Sequence, residues 1–224
     1  MEFTKSLIKG KLIKRYKRFF VDVKIDKKTV TAHCPNTGSM KGLLDQDNDV
    51  YLLKHDDPKR KLKYGLEIIK AQNNLVGVNT HLANKIVNHG LSNNLINELK
   101  NSDEIKAEVF FNKETRFDFL IKKNKQKIFL EVKNVTLFRN KNTAEFPDAI
   151  TSRGSKHLLA LIDAIKKGYK AYLLFLVQIE NMENFKIAND IDSEYYKNYL
   201  AAKKAGVNFL AYRCKISSKE ILIE

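Results

Sequence analysis

Arg116-Phe-Asp118-Phe-Leu-Ile121 and Ile128-Phe-Leu-Glu131-Val-Lys133 are two strand-like runs joined by a charged turn, Lys122 to Lys127. Each carries an acid where an apolar residue is expected. Side chains of a strand alternate between faces, so Glu131 and Lys133 point one way and Val132 the other. Two acids on neighbouring strands, with an amine beside one of them, make a compact site of oxygen ligands. A magnesium-dependent phosphodiesterase needs such a site. Asp118 and Glu131 would hold the ion, the Val132 carbonyl would add a third oxygen, and Lys133 would orient or activate a water. Mg²⁺ or Mn²⁺ is the expected cofactor, since Mg²⁺ takes one or two carboxylates and keeps several waters for reaction. The pattern D-x(n)-E-x-K is short, and edge strands also carry Glu and Lys merely to stay soluble. Here residues 128–132 are otherwise bulky and apolar, as in an interior strand, where a Glu needs a partner or a metal.

The surrounding pattern is that of an α/β core. Leu82–Leu99 has helical spacing with a break expected at Gly90, and Ile105–Phe111 precedes the two acidic strands, the second of which runs Lys127–Val135. A loop with Phe146-Pro147-Asp148 leads to a helix from Thr151 to Lys167, stopped by Gly168. Ala171–Val177 is an unbroken apolar run, as suits a strand buried on both faces. A helix over Ser193–Ala205 and a strand over Val207–Tyr212 follow. Upstream, Phe19–Ile25, Val30–His33, Asp49–Leu53 and Tyr64–Ala71 read as short strands, with a dense turn signal at Cys34–Gly38. Five or six short strands in about 70 residues predict a small OB-like barrel. The expected fold class is thus α/β (α+β): an OB-like β-barrel over residues 1–75, then an α/β domain over 76–224, meeting near Asn73–Val78.

The chain has 224 residues, 43% hydrophobic and 30% charged, which fits a globular protein with a real core. No apolar run approaches the ~20 residues that span a bilayer, so no membrane role is expected. Two cysteines, Cys34 and Cys214, without a CxxC pair argue against a disulfide framework and a structural zinc site, and a cytoplasmic location is the default. The formal net charge of +15 points to a polyanion partner, DNA first and RNA second. Residues 1–72 are the more densely basic part, with 17 Lys+Arg against 9 Asp+Glu. Clusters at Lys9–Arg18, including Lys14, Arg15, Lys17 and Arg18, and at Lys59, Arg60 and Lys61 stand near Tyr16, Phe19 and Phe20, the mixture that single-strand surfaces use. Oligomeric state is not readable from the sequence.

Several longer motifs occur in order along the chain: His33-Cys-Pro-Asn-Thr-Gly-Ser-Met40, Asp57-Pro-Lys-Arg-Lys-Leu62, Val76-Gly-Val-Asn-Thr-His-Leu82, Phe146-Pro-Asp-Ala149 and Thr151-Ser-Arg-Gly-Ser-Lys-His-Leu158. Together they resemble the sugar fermentation stimulation protein A family, over about Lys11 to Arg213. The resemblance implies DNA binding, an N-terminal OB-like domain and a C-terminal domain similar to PD-(D/E)xK nucleases. It places Asp118, Glu131 and Lys133 on the nuclease motif positions. Its functional expectation is a DNA-binding protein with a divalent-metal-dependent nuclease site. The alternatives are a non-catalytic, sequence-nonspecific DNA-binding regulator of sugar metabolism genes, and an RNA-binding or RNA-processing protein.

Other residues carry weaker signals. Arg153, Lys156 and His157 open a helix, where cations oppose the dipole and an anion partner would relieve them. Asp148 is expected to support the metal edge, and Gln178 to pair near it. The His33–Gly38 segment reads as a surface turn, and Asn79 or Thr80 as a helix cap beside His81. Glu98 is expected as a solvated helix residue, or as a further acid of the site. The facing of Glu108 is left open.

Overall fold

The structure, a computed structural model describing residues 1–224, begins with six strands: β1 (Ile8–Tyr16), β2 (Phe20–Ile25), β3 (Lys28–His33), β4 (Asp49–Lys54), β5 (Tyr64–Ala71) and β6 (Asn74–Gly77). They pair in the order β3-β2-β1-β4-β5-β6, and a parallel contact of β3 with β5 closes β1–β5 into a ring. This is the five-stranded barrel of the OB type, whose closure removes exposed edges. Leu12, Val21, Val23, Val50, Leu52 and Leu66 fill it. β1 is the strand that the basic cluster hid. Its lysines point out, Lys9 and Lys11 both pairing with Asp49 at 2.9 and 2.8 Å, while Gly10 and Leu12 point in. Gly10 is required by close approach, since a Cβ there would lie 2.5 Å from Val23 Cγ1. Lys17 and Arg18, both with positive φ, make the tight apex between β1 and β2.

The second half is built on α1 (Ala83–Ser92), β7 (Glu104–Phe110), β8 (Arg116–Lys123), β9 (Gln126–Val135), β10 (Leu137–Asn140), β11 (Thr143–Phe146), α2 (Ser152–Lys166), β12 (Lys170–Val177), β13 (Asn184–Ile187), α3 (Ser193–Lys204), β14 (Asn208–Ile216) and β15 (Ile221–Ile223). Its main sheet has the order β15-β14-β12-β9-β8-β7, parallel at its centre, where β12 lies between β9 and β14. β12 is buried on both faces. Leu173 and Phe175 join the core under α2, and Leu174 and Leu176 the core under α1. A small sheet, β10-β11-β13, stands beside it and was not foreseen from the sequence.

The helix expected over Leu82–Leu99 ends at Ser92. Asn94 takes a left-handed φ of 56°, which Asn tolerates better than most residues. Ile96 and Leu99 keep helical spacing but reach the core from an irregular turn. The His33–Gly38 segment is a second correction. It is not a surface turn, for Cys34, Pro35 and Asn36 are buried. The Arg15 guanidinium donates to the Asn36 and Gly38 carbonyls at 2.7 and 3.1 Å, so the buried turn is satisfied from within. Thr80 Oγ1 donates to the Pro35 carbonyl at 2.7 Å, tying the barrel to the second half. Cys34 and Cys214 are both buried and unpaired, and no helix is long and apolar enough to cross a membrane.

Glu67 of β5 is a buried acid, 3% exposed, with Oε2 accepting from Asn79 Nδ2 at 2.8 Å. Burial pushes its carboxyl up to about 7, with the Asn79 bond opposing. The folded state therefore binds a proton that the unfolded chain has released, and stability is lost as pH rises from about 4.5 through about 7. Glu67→Gln removes that dependence. Its stability advantage over the parent protein is expected to grow from under about 1 kcal/mol at pH 5 to on the order of 3 kcal/mol at pH 8.5. Urea unfolding at the two pH values reads it, and a difference independent of pH would refute it.

Candidate functional site

The geometry of the acidic pair comes from a break in the pleat of β8. The β8–β9 pairing stops at Phe119↔Leu130, and the β7–β8 register passes from Ala107↔Phe119 to Val109↔Phe117 without pairing Glu108 to Asp118. Glu108 has a φ of +55° at that point. Phe117 packs on Phe111 and Phe129 in the core under α2, while Phe119 lies with Leu130 in the core under α1. Two residues apart on one strand would normally share a face. They do not, and the strand splays at Asp118.

The splay frees a backbone N–H and supplies the acid to take it. Asp118 Oδ2 accepts from the Val132 N–H at 2.7 Å, and Oδ1 accepts from Asn84 Nδ2 of α1 at 2.7 Å. Burial, and then the neighbouring Glu131 charge, push the Asp118 carboxyl up to about 6 against these two bonds. Glu131 is 3% exposed. Its Oε1 accepts from Lys133 Nζ at 2.7 Å and touches His157 Nδ1, which itself lies 3.2 Å from Lys133 Nζ. Burial alone would raise Glu131, but the Lys133 charge and the His157 contact outweigh it and hold the carboxyl below its ordinary value. Its second oxygen, Oε2, is buried with no hydrogen-bond partner. A buried carboxylate oxygen without a donor costs free energy unless something else approaches it.

The residues present therefore fit a divalent ion of the hard, oxygen-seeking kind. The donors are two carboxylates on adjacent strands, one with an orphaned oxygen, and the Val132 backbone stands between them. No three His, Cys, Asp or Glu side chains converge as ligands anywhere in the chain. This suits Mg²⁺ or Mn²⁺ held by one or two carboxylates and water better than a closed cage of side chains.

The remaining expected residues separate into groups. Arg153, Lys156 and His157 share one face of α2 at i, i+3, i+4 spacing. His157 turns inward to Glu131, and the other two are exposed. Lys14, Lys17 and Arg18 are solvent-accessible on or near the β1–β2 hairpin, whereas the Arg15 guanidinium is occupied by the turn it supports. Lys59 and Lys61 are exposed in the β4–β5 loop, and Arg60 is half-buried there. Asp148 makes no hydrogen bond to the acidic pair. Its carboxylate accepts from Ser39 Oγ and the Met40 N–H at 3.2 and 3.3 Å, joining the two halves of the chain. Glu98, on a 3₁₀ turn, accepts from the Tyr212 hydroxyl at 2.6 Å. Gln178 donates to Asn134, one residue beyond Lys133.

Asn84 was missed from sequence, while Glu108 had been named with its facing open and His157 with another role. Asn84 orients Asp118, and Glu108 touches Asn84 at 3.4 Å while pairing with Arg116 at 2.8 Å. His157 was read only as a phosphate contact. A cleft of about 330 Å³ is walled by Arg18, Asn36, Thr80, Asn134, Asp148 and Thr151, and reaches the acidic centre's neighbourhood through Asn134, the residue after Lys133. It joins the hairpin apex to the start of α2.

Comparison with known proteins gives two family matches: the sugar fermentation stimulation protein RE domain over residues 81–220, and the SfsA N-terminal OB domain over residues 13–78. A sugar fermentation stimulation protein homolog from Pelagibacter ubique is 78% identical over all of this chain and 97% of its own length. One from Maricaulis maris is 41% identical over all of this chain and 96% of its own. A solved structure of Pyrococcus furiosus SfsA in complex with Ca²⁺ superposes with a TM-score of 0.89 at 25% identity, covering all of this chain and 95% of that one.

Proposed function

The chain belongs to the sugar fermentation stimulation protein family, and from that premise we propose that it is a divalent-metal-dependent phosphodiesterase acting on nucleic acid, DNA first. The observation that carries the proposal is Glu131. Its Oε2 is buried and unpartnered, Lys133 is locked on its other oxygen, and Asp118 of the splayed strand is held on the N–H of the next residue, Val132, close enough to feel the Glu131 charge. Asp118, Glu131 and the Val132 carbonyl would hold Mg²⁺ or Mn²⁺. The Pyrococcus furiosus relative was solved with Ca²⁺, a cation of the same oxygen-seeking class, which supports that choice. When bound, such an ion polarises a phosphodiester and lowers the pKa of a coordinated water. Lys133, fixed by Glu131 and His157, orients water and neutralises charge on the phosphate. Asn84 and the Val132 N–H hold Asp118 in place.

Nucleic acid would lie along the cleft between the β1–β2 apex and α2, with Lys17, Arg18, Arg153 and Lys156 on its phosphates. Replacing these four by Gln is expected to weaken binding to duplex DNA. It should also reduce the steepness of the log–log salt dependence by about 0.9 for each phosphate that is no longer neutralised. Arg15 is left intact because it supports a buried turn. An unchanged slope, read by fluorescence anisotropy, would put the nucleic-acid surface elsewhere.

A second reading has an observation of its own. Glu131 is already paired on one oxygen with Lys133 and in contact there with His157, so the centre can persist without an ion in a DNA-binding regulator that cuts nothing. The relatives' name, which speaks of stimulated sugar fermentation, suits such a regulator. One experiment separates the two: purified protein incubated with single- and double-stranded DNA and RNA, with Mg²⁺, Mn²⁺ or chelator. Metal-dependent cleavage supports the first reading, and the polymer cut decides between DNA and RNA. Binding without cleavage in every arm supports the second.

A further inference from the structure

The 35–38 turn and the 79–81 segment divide two cavities. Asn36, Thr37, Gly38 and Thr80 face the cleft described above, while Pro35, Asn79 and His81 face a larger cavity of about 630 Å³. That volume is of the size that takes small organic ligands. Its polar wall holds His33, His55 and His81, three of the five histidines in the chain, together with Arg60 and Lys85. Phe3, Leu53 and Leu82 add apolar surface to the lining.

The floor is Glu67. One of its oxygens is taken by Asn79, and the other, Oε1, has no hydrogen bond within the chain although the residue is only 3% exposed. Gly65 makes room for the convergence. A Cβ there would lie 2.9 Å from His55 Nε2 and 3.4 Å from Glu67 Oε1. Burial first, and then the Arg60 charge, hold His33 and His55 below their ordinary value. Arg60 and Lys85 are the cations crowded here, beside His33 and His55 held toward the neutral form, with Glu67 and Glu2 as the acids among them. A phosphate would relieve the crowding through charge-assisted hydrogen bonds. A carboxyl beside an amide offers an acceptor and a donor to the edge of a base, and Phe3 offers it a face. A metal suits the cavity poorly. Arg60 and Lys85 repel it, and the histidines do not converge with Glu67 as ligands.

We propose that this cavity binds a nucleoside monophosphate unit, free or as the phosphorylated end of a strand. Arg60, His33 and His55 take the phosphate, and Glu67 with Asn79 reads the base. The site uses neither Asp118 nor Glu131 and does not rest on the hydrolytic reading. Asn79 and His81 lie five and three residues before Asn84, the residue that orients Asp118, so a strand end held here would lead toward the acidic centre.

Calorimetric titration in chelator tests it, with the four nucleoside monophosphates, their nucleosides, inorganic phosphate, and tetranucleotides with and without a 5′-phosphate. At least one monophosphate is expected to bind more tightly than its nucleoside and than inorganic phosphate. Arg60→Gln and Gly65→Ala should each weaken it by about tenfold or more, Glu67→Gln should alter the ranking of bases, and Asp118→Asn should leave binding unchanged. Arg60 is partly exposed, so its variant keeps the test valid if Gly65→Ala fails to fold. A phosphorylated tetranucleotide binding more tightly than the monophosphates assigns the site to strand ends, and the reverse assigns it to free nucleotides; both support the proposal. It is overturned if no phosphate ligand binds at millimolar concentration, if nucleosides bind as well as nucleotides, if Arg60→Gln changes nothing, or if Zn²⁺ alone occupies the histidines.

Discussion

Lys133→Met is expected to lower phosphodiester hydrolysis by about 10²- to 10⁴-fold, the range over which a positioned proton-transfer or water-orienting group contributes, with little loss of nucleic-acid affinity. Lys133 lies 2.7 Å from Glu131 Oε1 and 3.2 Å from His157 Nδ1, so its ammonium is held in one place before any substrate arrives. Methionine keeps most of the stem volume and removes the charge. Two further readouts separate this role from a structural one. Removing a cation beside Glu131 should leave Mn²⁺ affinity intact or raised, because the carboxylate is then more available to the ion. DNA affinity measured in chelator should stay near that of the parent protein, since the exposed Lys17, Arg18, Arg153 and Lys156 are the groups that meet the phosphates. A variant that hydrolyses at the parental rate would remove Lys133 from the chemistry. A parent protein that cuts no DNA or RNA with either metal would remove the chemistry itself.

How much of this was legible in the sequence depends on how far each interaction reaches along the chain. Glu131 and Lys133 share a face by strand period alone, and the barrel follows from short alternating runs and turns. Strand β1 escaped because its inward positions include Gly10, which carries no apolar signal, and because its register breaks between Leu12 and Lys14. The lysines on its outer face then read as a patch. The helix over Leu82–Leu99 was overextended because Ile96 and Leu99 keep the right spacing while Asn94 has already turned the chain. The placement of Asp148 could not be read at all. Its partners, Ser39 and Met40, lie more than 100 residues away, and only the packing of barrel on sheet brings them together. Asn84 and His157 share that limitation. Each is ordinary on its own helix and acquires a role only when α1 and α2 approach opposite sides of β9.

Glu131→Gln and Asp118→Asn should each remove Mn²⁺ binding, by more than the roughly 10–100-fold typical of losing a partner in a ligand's outer shell. With only two carboxylates in the donor set, either change halves the negative charge available to the ion. The fold should survive both. Asp118 is pushed up to about 6 by burial and by Glu131, so its ionised form already costs the folded state free energy at neutral pH. Neutralising it relieves that cost, at the loss of about one hydrogen bond from Val132 or Asn84, worth about 1 kcal/mol. The signature is therefore selective: near-parental thermal unfolding without metal, and no upward shift of Tm when Mn²⁺ is added, where the parent protein shifts because the ion binds the native state alone. Calorimetry showing parental Mn²⁺ affinity in both variants would defeat the assignment of these carboxylates. The orphaned Glu131 Oε2 would then need another partner, and the metal-free regulator would account better for a centre whose carboxylate is already paired with Lys133.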